Sequence, residues 1–225
     1  GRIVSTALAR RDAGLHLAER RRFDRYLSAL ATDLINCPVE RIDVAIDQAL
    51  ATFGTLAQVD RARVLLLDSE GRALDIAHEW CGHDLAPQDA RRRPLPLDHV
   101  PWLQGQLASR RPLVLDDVTA LPTEAESERG LLQAQGIQSL VAAPMAYHGE
   151  LIGFMTFEAV SSRRTWGEQV TDQLGLLARV LSHAIGRKRS EQALATRERV
   201  LDRFLNAISD PAFLVDEQLR FVLAN

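Results

Sequence analysis

Apolar residues recur at helical intervals over the first quarter of the chain. The spacing predicts a helix over about residues 3–35, ended by Pro38, and a second helix that ends near Gly54. Each helix carries one apolar stripe, which indicates that one side of each packs on a core. The stripes consist of Phe23, Leu27, Leu30 and Leu34 in the first helix and of Ile42, Ile46, Ala49 and Phe53 in the second.

Two segments show the pattern of β-hairpins. The first joins ARVLLLD (residues 62–68) to RALDIAHEWC (72–81) through a turn that contains SEG. The second, GIQSLVAAPMAYHGELIGFMTFEAV (136–160), turns at His148 and Gly149 and is apolar on both faces almost throughout. A sheet that is covered on both sides needs such residues. We therefore expect helices on one face of the sheet and a lid or a pocket on the other.

Alternation along the last strand of the second hairpin assigns its residues to two faces. Gly153 would let a helix or a ligand approach the backbone closely, and Pro144 cannot donate a hydrogen bond within a sheet, so we expect a gap or an edge near Met145. A period of two places Leu151, Gly153, Met155 and Phe157 on one face and Ile152, Phe154, Thr156 and Glu158 on the other.

The remaining segments complete a pattern of helices around an antiparallel sheet. Capping boxes are expected at Thr123 with Glu126 and at Thr165 with Glu168. Strands joined by tight turns imply antiparallel pairing, and helices at both ends of the chain can pack on one face. We predict an α/β sandwich of the α+β type. Its other parts are a proline-rich loop (84–101), a short helix (101–111), a short strand (112–118), a helix ended by Gly136, and a long helix from Trp166 to about Ser209.

Composition narrows the class of protein. The chain has 225 residues and a net charge of −3, which gives no reason to expect a nucleic-acid partner. Two cysteines, Cys37 and Cys81, are too few for a disulfide framework or a CxxC metal site, so we expect reduced thiols and a cytoplasmic location. No apolar run approaches the ~20 residues that span a bilayer, so no membrane contact is expected of this segment. We expect both ends to continue into a longer protein.

Five separated blocks resemble a known family. They resemble the GAF domain, a small-molecule-sensing relative of the PAS fold, in the subtype found in multi-domain bacterial signalling proteins with cyclic di-GMP enzyme or histidine kinase modules. The blocks are HEWC (78–81), PWL (101–103), LVLDDVTALPTEAESERGLLQAQGIQSLVAAPM (113–145), GELIGFMTFEAV (149–160) and RTWGEQVTDQLGLLARVLSHAI (164–185).

The C-terminal part carries a second resemblance. FLNAISDPAFLVDEQLRFVLAN resembles the opening of a PAS domain, and the segment before it resembles the helical connectors of such proteins. Leu194, Leu201 and Ile208 repeat at intervals of seven, as in a parallel coiled coil, although Arg197 occupies one of the other core positions. The expected organisation is a linker helix (1–22), a GAF sensory domain (23–186), a coiled-coil signalling helix (187–203) and the truncated start of a PAS domain (204–225).

The resemblance implies a regulatory module without enzymatic activity of its own. A small molecule of unknown identity would bind the GAF domain, and N- and C-terminal helices of a homodimer would carry its state to the PAS domain and an effector. That effector would make or degrade cyclic di-GMP or be a histidine kinase. Two alternatives stay open: a ligand-free dimerisation and spacer module, and a Cys/His metal or redox centre.

Four residues are the candidate ligand contacts: Trp80, Cys81, Trp102 and Phe154. They are chosen because pockets are mostly apolar, and because Trp80 and Trp102 lie in blocks that form the lid in the family; the alternative is that they fill core space.

Metal and cofactor chemistry has weaker candidates. Cys81 with His83 and Asp84 would form the metal or nucleophile cluster, with His78 on the other face of the strand, and His83 or His99 would be a lone haem ligand. Some members of the family that this chain resembles attach a bilin through a cysteine in the region before the last hairpin. The corresponding residues 121–139 contain no cysteine, so a bilin is not expected. A cyclic nucleotide is not expected either, because the family's Asn-Lys-Phe-Asp-Glu pattern cannot be placed.

Overall fold

The computed structural model describes residues 2–82, 85–87, 94–207, 213–215 and 221–224. The chain divides into two compact units, Gly1–Ala184 and Ile185–Asn225. Its helices are α1 (Arg2–Asn36), α2 (Ile42–Leu56), α3 (Pro101–Ala108), α4 (Glu126–Ala134) and α5 (Glu168–Ala207). Its strands are β1 (Arg61–Leu67), β2 (Ala73–Cys81), β3 (Leu95–Pro96), β4 (Leu113–Leu115), β5 (Ser139–Tyr147), β6 (Glu150–Ala159), β7 (Phe213–Val215) and β8 (Phe221–Ala224).

The two N-terminal helices form as the apolar stripes predict. Phe23 of α1 packs edge-on against Phe53 of α2, with ring centroids 4.8 Å apart. Every predicted stripe residue of α2 is buried, and α2 continues two residues past Gly54. Among the described residues, no helix combines the length and the apolar character that crossing a bilayer requires.

The first unit contains a six-stranded sheet in the order β3-β2-β1-β6-β5-β4, and every neighbouring pair is antiparallel. This confirms the predicted mixed fold with helices at both ends. β1 lies at the centre and pairs with β2 on one side and with β6 on the other. The 3₁₀ turns Val39–Arg41, Leu97–His99, Val118–Ala120 and Thr123–Ala125 join several of the elements.

The two faces of the sheet pack against different helices. The helix face contacts α2 through β1 and β2. It includes Ala62 opposite Phe157 and Val64 opposite Met155, all fully buried. The other face, which we call the cavity face, lies toward α3 and α4. Two apolar clusters lie there: one of Val118, Leu121, Ala125, Ile137, Leu140 and Ala142, and one of Leu74, Leu97, Val100 and Phe154.

The second hairpin turns as predicted, but one strand position was assigned wrongly. His148 and Gly149 both have positive φ, 48° and 82°, as the tightest hairpin turns require. A bulge leaves Ile152 without a partner, because Met145 pairs with Gly153 and Ala146 pairs with Leu151. Leu151 therefore packs in the Phe154 cluster, on the opposite face from the one that strict alternation predicts.

Two backbone expectations near this bulge have a structural answer. What approaches Gly153 closely is a neighbouring strand, because a Cβ there would collide with the backbone of Leu65 and Leu66. Pro144 lies beyond the part of β5 that β4 covers, since β4 pairs only as far as Ala142. Pro144 is therefore at an open edge of β5, as its missing N–H requires.

Several expectations for the segments outside the two hairpins were wrong in detail. The predicted loop before α3 contains the short strand β3, whose Pro96 lies opposite Ala73. Thr123 does not cap α4, because it begins a 3₁₀ turn and the N-cap of α4 is Ala125. Gly136 does end that segment with a φ of 72°. The predicted capping box of Thr165 with Glu168 is also wrong. The helix α5 begins at Glu168 itself, so Thr165 lies too far before the helix to cap it.

The second unit contains the end of α5 and a two-stranded sheet. Phe213 of β7 lies opposite Ala224 of β8 in an antiparallel pair. The segment that resembles the opening of a PAS domain thus contains two paired strands, and the PAS domain itself stays a prediction. Ile208, the third member of the seven-residue repeat, lies outside the described residues.

Candidate functional site

A cavity of about 180 Å³ lies on the cavity face, beneath α3 and α4. Its walls are mostly apolar, and its polar lining comes from Arg63, Asp75, Glu128, Gln135, Thr156 and Glu158. A mostly apolar cavity with a few polar groups is the usual form of a small-molecule site. The apolar lining includes Leu65, Leu74, Ile76, Leu95, Leu103, Leu113, Leu115, Leu131, Leu132, Leu140 and Ala142.

Two of the four predicted contacts lie on the wall of this cavity. Trp102 reaches it from the first turn of α3, which Pro101 begins with a φ suited to a helix. Phe154 reaches it from β6, where it is buried beside Leu74 and Val100. The structure therefore brings Trp102 and Phe154 to one site, and their contact with a ligand stays a prediction.

The other two predicted contacts do not line the cavity. Trp80 lies opposite Ala62 on the helix face, and its ring contacts α2 so closely that Gly54 has no room for a Cβ. Cys81 lies opposite Arg61 on the cavity face, at the end of β2. Burial, followed by the nearby charge of Glu79, raises the pKa of the Cys81 thiol, which disfavours the reactive thiolate.

A buried ion-pair network closes the end of the cavity toward Cys81. Its residues are not among the contacts predicted from the sequence. Glu158, with no solvent exposure, accepts hydrogen bonds from Arg61 Nε at 2.6 Å and from Arg63 Nε at 2.8 Å. Thr156 Oγ1 donates to the same carboxylate at 2.8 Å. Buried charges occur when they are paired in this way, so the network closes one end of the cavity with satisfied polar groups.

Gln135 ties this network to the end of α4. Its side-chain Oε1 accepts from Arg63 Nη1 at 3.0 Å, and its carbonyl oxygen accepts from Arg61 Nη2 at 3.3 Å. The two arginines thus connect the central strand β1 to the segment that covers the cavity. A shift of α4 that moves Gln135 would therefore change the hydrogen bonds of Arg61 and Arg63 on β1.

Glu128 supplies a second buried carboxyl, on the wall formed by α4. It is 2% exposed, and its Oε1 accepts from the backbone N–H of Leu103 at 3.0 Å, in the first turn of α3. A carboxylate is favourable at that place, where the helix dipole is positive. Its Oε2 receives no hydrogen bond from any described residue.

A sequence signal for these charged residues existed. Arg61 and Arg63 occupy alternate positions at the start of a strand that is otherwise apolar, so both had to point to one buried face. Glu128 falls three residues after the buried Ala125 and four before Leu132, within the apolar stripe of α4. Charges at core positions point to a buried network or a binding site.

The candidate metal residues are not brought together. The Nδ1 atom of His78 lies 2.7 Å from Asp47 Oδ1 of α2, on the helix face. His99 is exposed beside Asp98. Within the described parts of the chain, no three His, Cys, Asp or Glu side chains are grouped as a metal ion would need. His83 and Asp84 lie outside the described residues.

These observations define an α+β domain in which an antiparallel sheet carries helices on one face and encloses a small cavity on the other. The family model described as "GAF domain" matches residues 41–185. The match covers more than half of the chain, and the chain belongs to the GAF domain family. No match was found among curated proteins.

Solved structures share the fold at low sequence identity. The GAF domain of a phosphoenolpyruvate-protein phosphotransferase from Coxiella burnetii is 16% identical, with a TM-score of 0.62 over 77% of this chain and 98% of that chain. Residues 122 to 287 of a methyl-accepting chemotaxis protein are 23% identical, with a TM-score of 0.59 over 73% and 99%. The phycocyanobilin-bound GAF domain of a cyanobacterial phytochrome is 19% identical, with a TM-score of 0.59 over 77% and 95%.

Proposed function

We propose that this chain is the sensory part of a signalling protein and that it binds a small molecule in the cavity beneath α3 and α4. The observation that carries this proposal is the cavity itself, with its apolar walls and its few polar groups. Membership of the GAF family supports it, because two solved relatives are a chemotaxis protein and a bilin-bound phytochrome domain. The chemotaxis role and the bilin belong to those relatives, and the ligand of this chain is a separate question.

The cavity favours a small ligand that is not attached covalently. Its volume of about 180 Å³ exceeds the roughly 150 Å³ of an engineered apolar cavity that binds benzene. It is below the roughly 300–1,000 Å³ of pockets for drug-sized ligands. Neither Cys37 nor Cys81 is among the described residues that line it, so a thioether-linked chromophore has no anchor there.

We further propose that the ligand acts through α5 and a homodimer. α5 runs for 40 residues, from the GAF domain to the C-terminal unit. Leu194 and Leu201, seven residues apart, are 58% and 44% exposed, and a second copy of the helix would cover them in a coiled coil. A PAS domain and an effector enzyme, either a cyclic di-GMP enzyme or a histidine kinase, would follow in the longer protein.

Native mass spectrometry of the purified chain tests the ligand proposal. We expect a small molecule to be retained by the wild-type chain. A cavity-filling variant, Leu132→Trp, would lose it because that side chain lines the cavity. The control is Leu176→Trp, at an exposed position of α5, which would keep it. A wild-type chain that retains no molecule and is not stabilised by any compound in a metabolite library would contradict the proposal.

One observation favours a spacer module as the second candidate. Arg61, Arg63 and Glu158 satisfy each other, so the charged end of the cavity needs no ligand. In that case Leu132→Trp would stabilise the chain by filling space and would leave its mass in solution unchanged. Thermal unfolding together with light scattering of the same variant distinguishes the two functions.

A further inference from the structure

Glu128 places a carboxyl oxygen on the cavity wall without a hydrogen-bond partner. Glu128 is 2% exposed, and its Oε2 atom is itself buried. Buried polar atoms in folded proteins nearly always have a partner, and an unsatisfied one calls for an explanation. Since Oε1 already accepts from Leu103, the open position belongs to Oε2 and to the cavity side of α4.

Neither Arg63 on the cavity wall nor the neighbouring Arg129 of α4 supplies that partner. Arg63 is committed to Glu158 and to the Oε1 atom of Gln135. Arg129, the next residue on α4, donates to the carbonyl of Leu121 and lies 3.9 Å from Glu126, away from the cavity. Of the two buried carboxyls that line the cavity, Glu158 has arginine partners and Glu128 has none among the described residues, whereas Asp75 is exposed to solvent. A donor carried by a ligand would satisfy Glu128.

Most of the residues that line the cavity together with this carboxyl are apolar. Leu103 and Trp102 come from α3, Leu131 and Leu132 come from α4, and Phe154 comes from β6. A hydrogen bond to a carboxylate is stronger when the donor is also charged. An aromatic ring on the wall adds attraction for a cation. The cavity thus combines mostly apolar walls with one buried acceptor that lacks a partner, and its volume of about 180 Å³ suits a ligand body of about one ring.

We propose that the cavity selects small cationic amines: a protonated primary amine or amidine on an apolar body, with its N–H group donating to Oε2 of Glu128. This inference rests on the proposed function, because it names the class of ligand for the same cavity. The ligand would bridge α3 and α4 through one carboxyl, since Oε1 holds the first turn of α3 and Oε2 holds the amine. Binding would therefore fix the two helices that cover the cavity.

Three probes of similar size test the class of ligand: benzylamine, benzyl alcohol and benzoate, which are cationic, neutral and anionic near neutral pH. Titration calorimetry on the whole chain should give the tightest binding for benzylamine, by at least about tenfold, the ratio expected for one charge-assisted bond. Glu128→Gln should reduce benzylamine binding to the level of benzyl alcohol. Glu126→Gln, at a side chain 78% exposed on the same helix, should leave it unchanged.

The outcomes separate this inference from the proposed function. Equal binding of all three probes, unaffected by Glu128→Gln, would overturn the amine inference and leave the cavity as a ligand site. Binding of none, with no molecule retained in native mass spectrometry, would overturn both. A retained natural molecule without a basic nitrogen would overturn the inference alone. Probe selectivity in the wild-type chain decides the matter even if Glu128→Gln does not fold.

Discussion

Arg63 of β1 donates two hydrogen bonds to one oxygen of Glu158 on β6, from Nε at 2.8 Å and from Nη2 at 2.5 Å. The other oxygen of that carboxylate accepts from Arg61 at 2.6 Å. Both arginines and the glutamate are buried, and Arg61 also lies 4.0 Å from Glu79. The centre of the sheet is therefore held by charges that are costly to leave unpaired.

The first prediction concerns this network. Glu158→Gln removes the negative charge and leaves two buried guanidinium groups with a neutral partner, so we expect a loss of about 3 kcal/mol of unfolding free energy. Urea denaturation monitored by circular dichroism measures it. Glu150→Gln is the control, because Glu150 is exposed at the start of the same strand. Equal stability of the two variants would show that the network contributes nothing net.

The second prediction concerns the packing of Trp80 on α2. A Cβ at Gly54 would overlap the Trp80 ring, so Gly54→Ala forces the indole to move and should cost about 1–3 kcal/mol. Gly130 of α4 has open space around its Cβ position, so Gly130→Ala should instead stabilise the chain by about 0.5–1 kcal/mol through helix propensity. Thermal unfolding of both variants checks the opposite signs.

The third prediction concerns Asp60, which joins the start of the sheet to the end of β6. Its Oδ2 accepts from the backbone N–H groups of Val160 at 2.7 Å and Ser161 at 2.8 Å. Burial raises the pKa of Asp60, but these hydrogen bonds, with the charge of Arg164, outweigh burial and lower the pKa below 3.8. Asp60→Asn should cost about 1 kcal/mol at neutral pH, since the site is partly solvated.

The pH dependence of that cost follows from the direction of the shift. A carboxyl whose pKa is lowered by folding contributes its stability above the pKa of the unfolded chain and loses it as pH falls through the folded value. The difference in unfolding free energy between the wild-type chain and Asp60→Asn should thus be constant above about pH 5 and shrink as the pH falls below it. Asp98→Asn, at an exposed side chain, serves as the control. A difference that persists unchanged into strong acid would contradict the assignment.

Local periodicity predicted those parts of the fold that depend on neighbours in sequence. The stripes of α1 and α2 and the turn at His148 and Gly149 follow from residues a few positions apart. The bulge at Ile152 could not be predicted in this way, because it depends on the register between β5 and β6. That register slip is what moves Leu151 to the other face.

The site was predictable only in part for a related reason. Alternation separates two faces of a strand, but it does not say which face meets helices and which meets the cavity. The sequence pattern therefore could not show that Trp80 lies on the helix face while Phe154 lies on the cavity face. The partnership of Arg63 with Glu158, 95 residues away, is fixed by the pairing of β1 with β6, which no local pattern encodes.

The last prediction concerns the exposed leucines of α5. If Leu194 and Leu201 meet their counterparts in a second copy, a charge there is buried without a partner, and Leu201→Glu should shift the chain from dimer to monomer. Gln192→Glu adds the same charge off the apolar stripe and should leave the dimer intact. Size-exclusion chromatography with light scattering gives the mass of each. A wild-type chain that stays monomeric up to its solubility limit would refute the dimer, and relay through paired α5 helices would then have no structural basis.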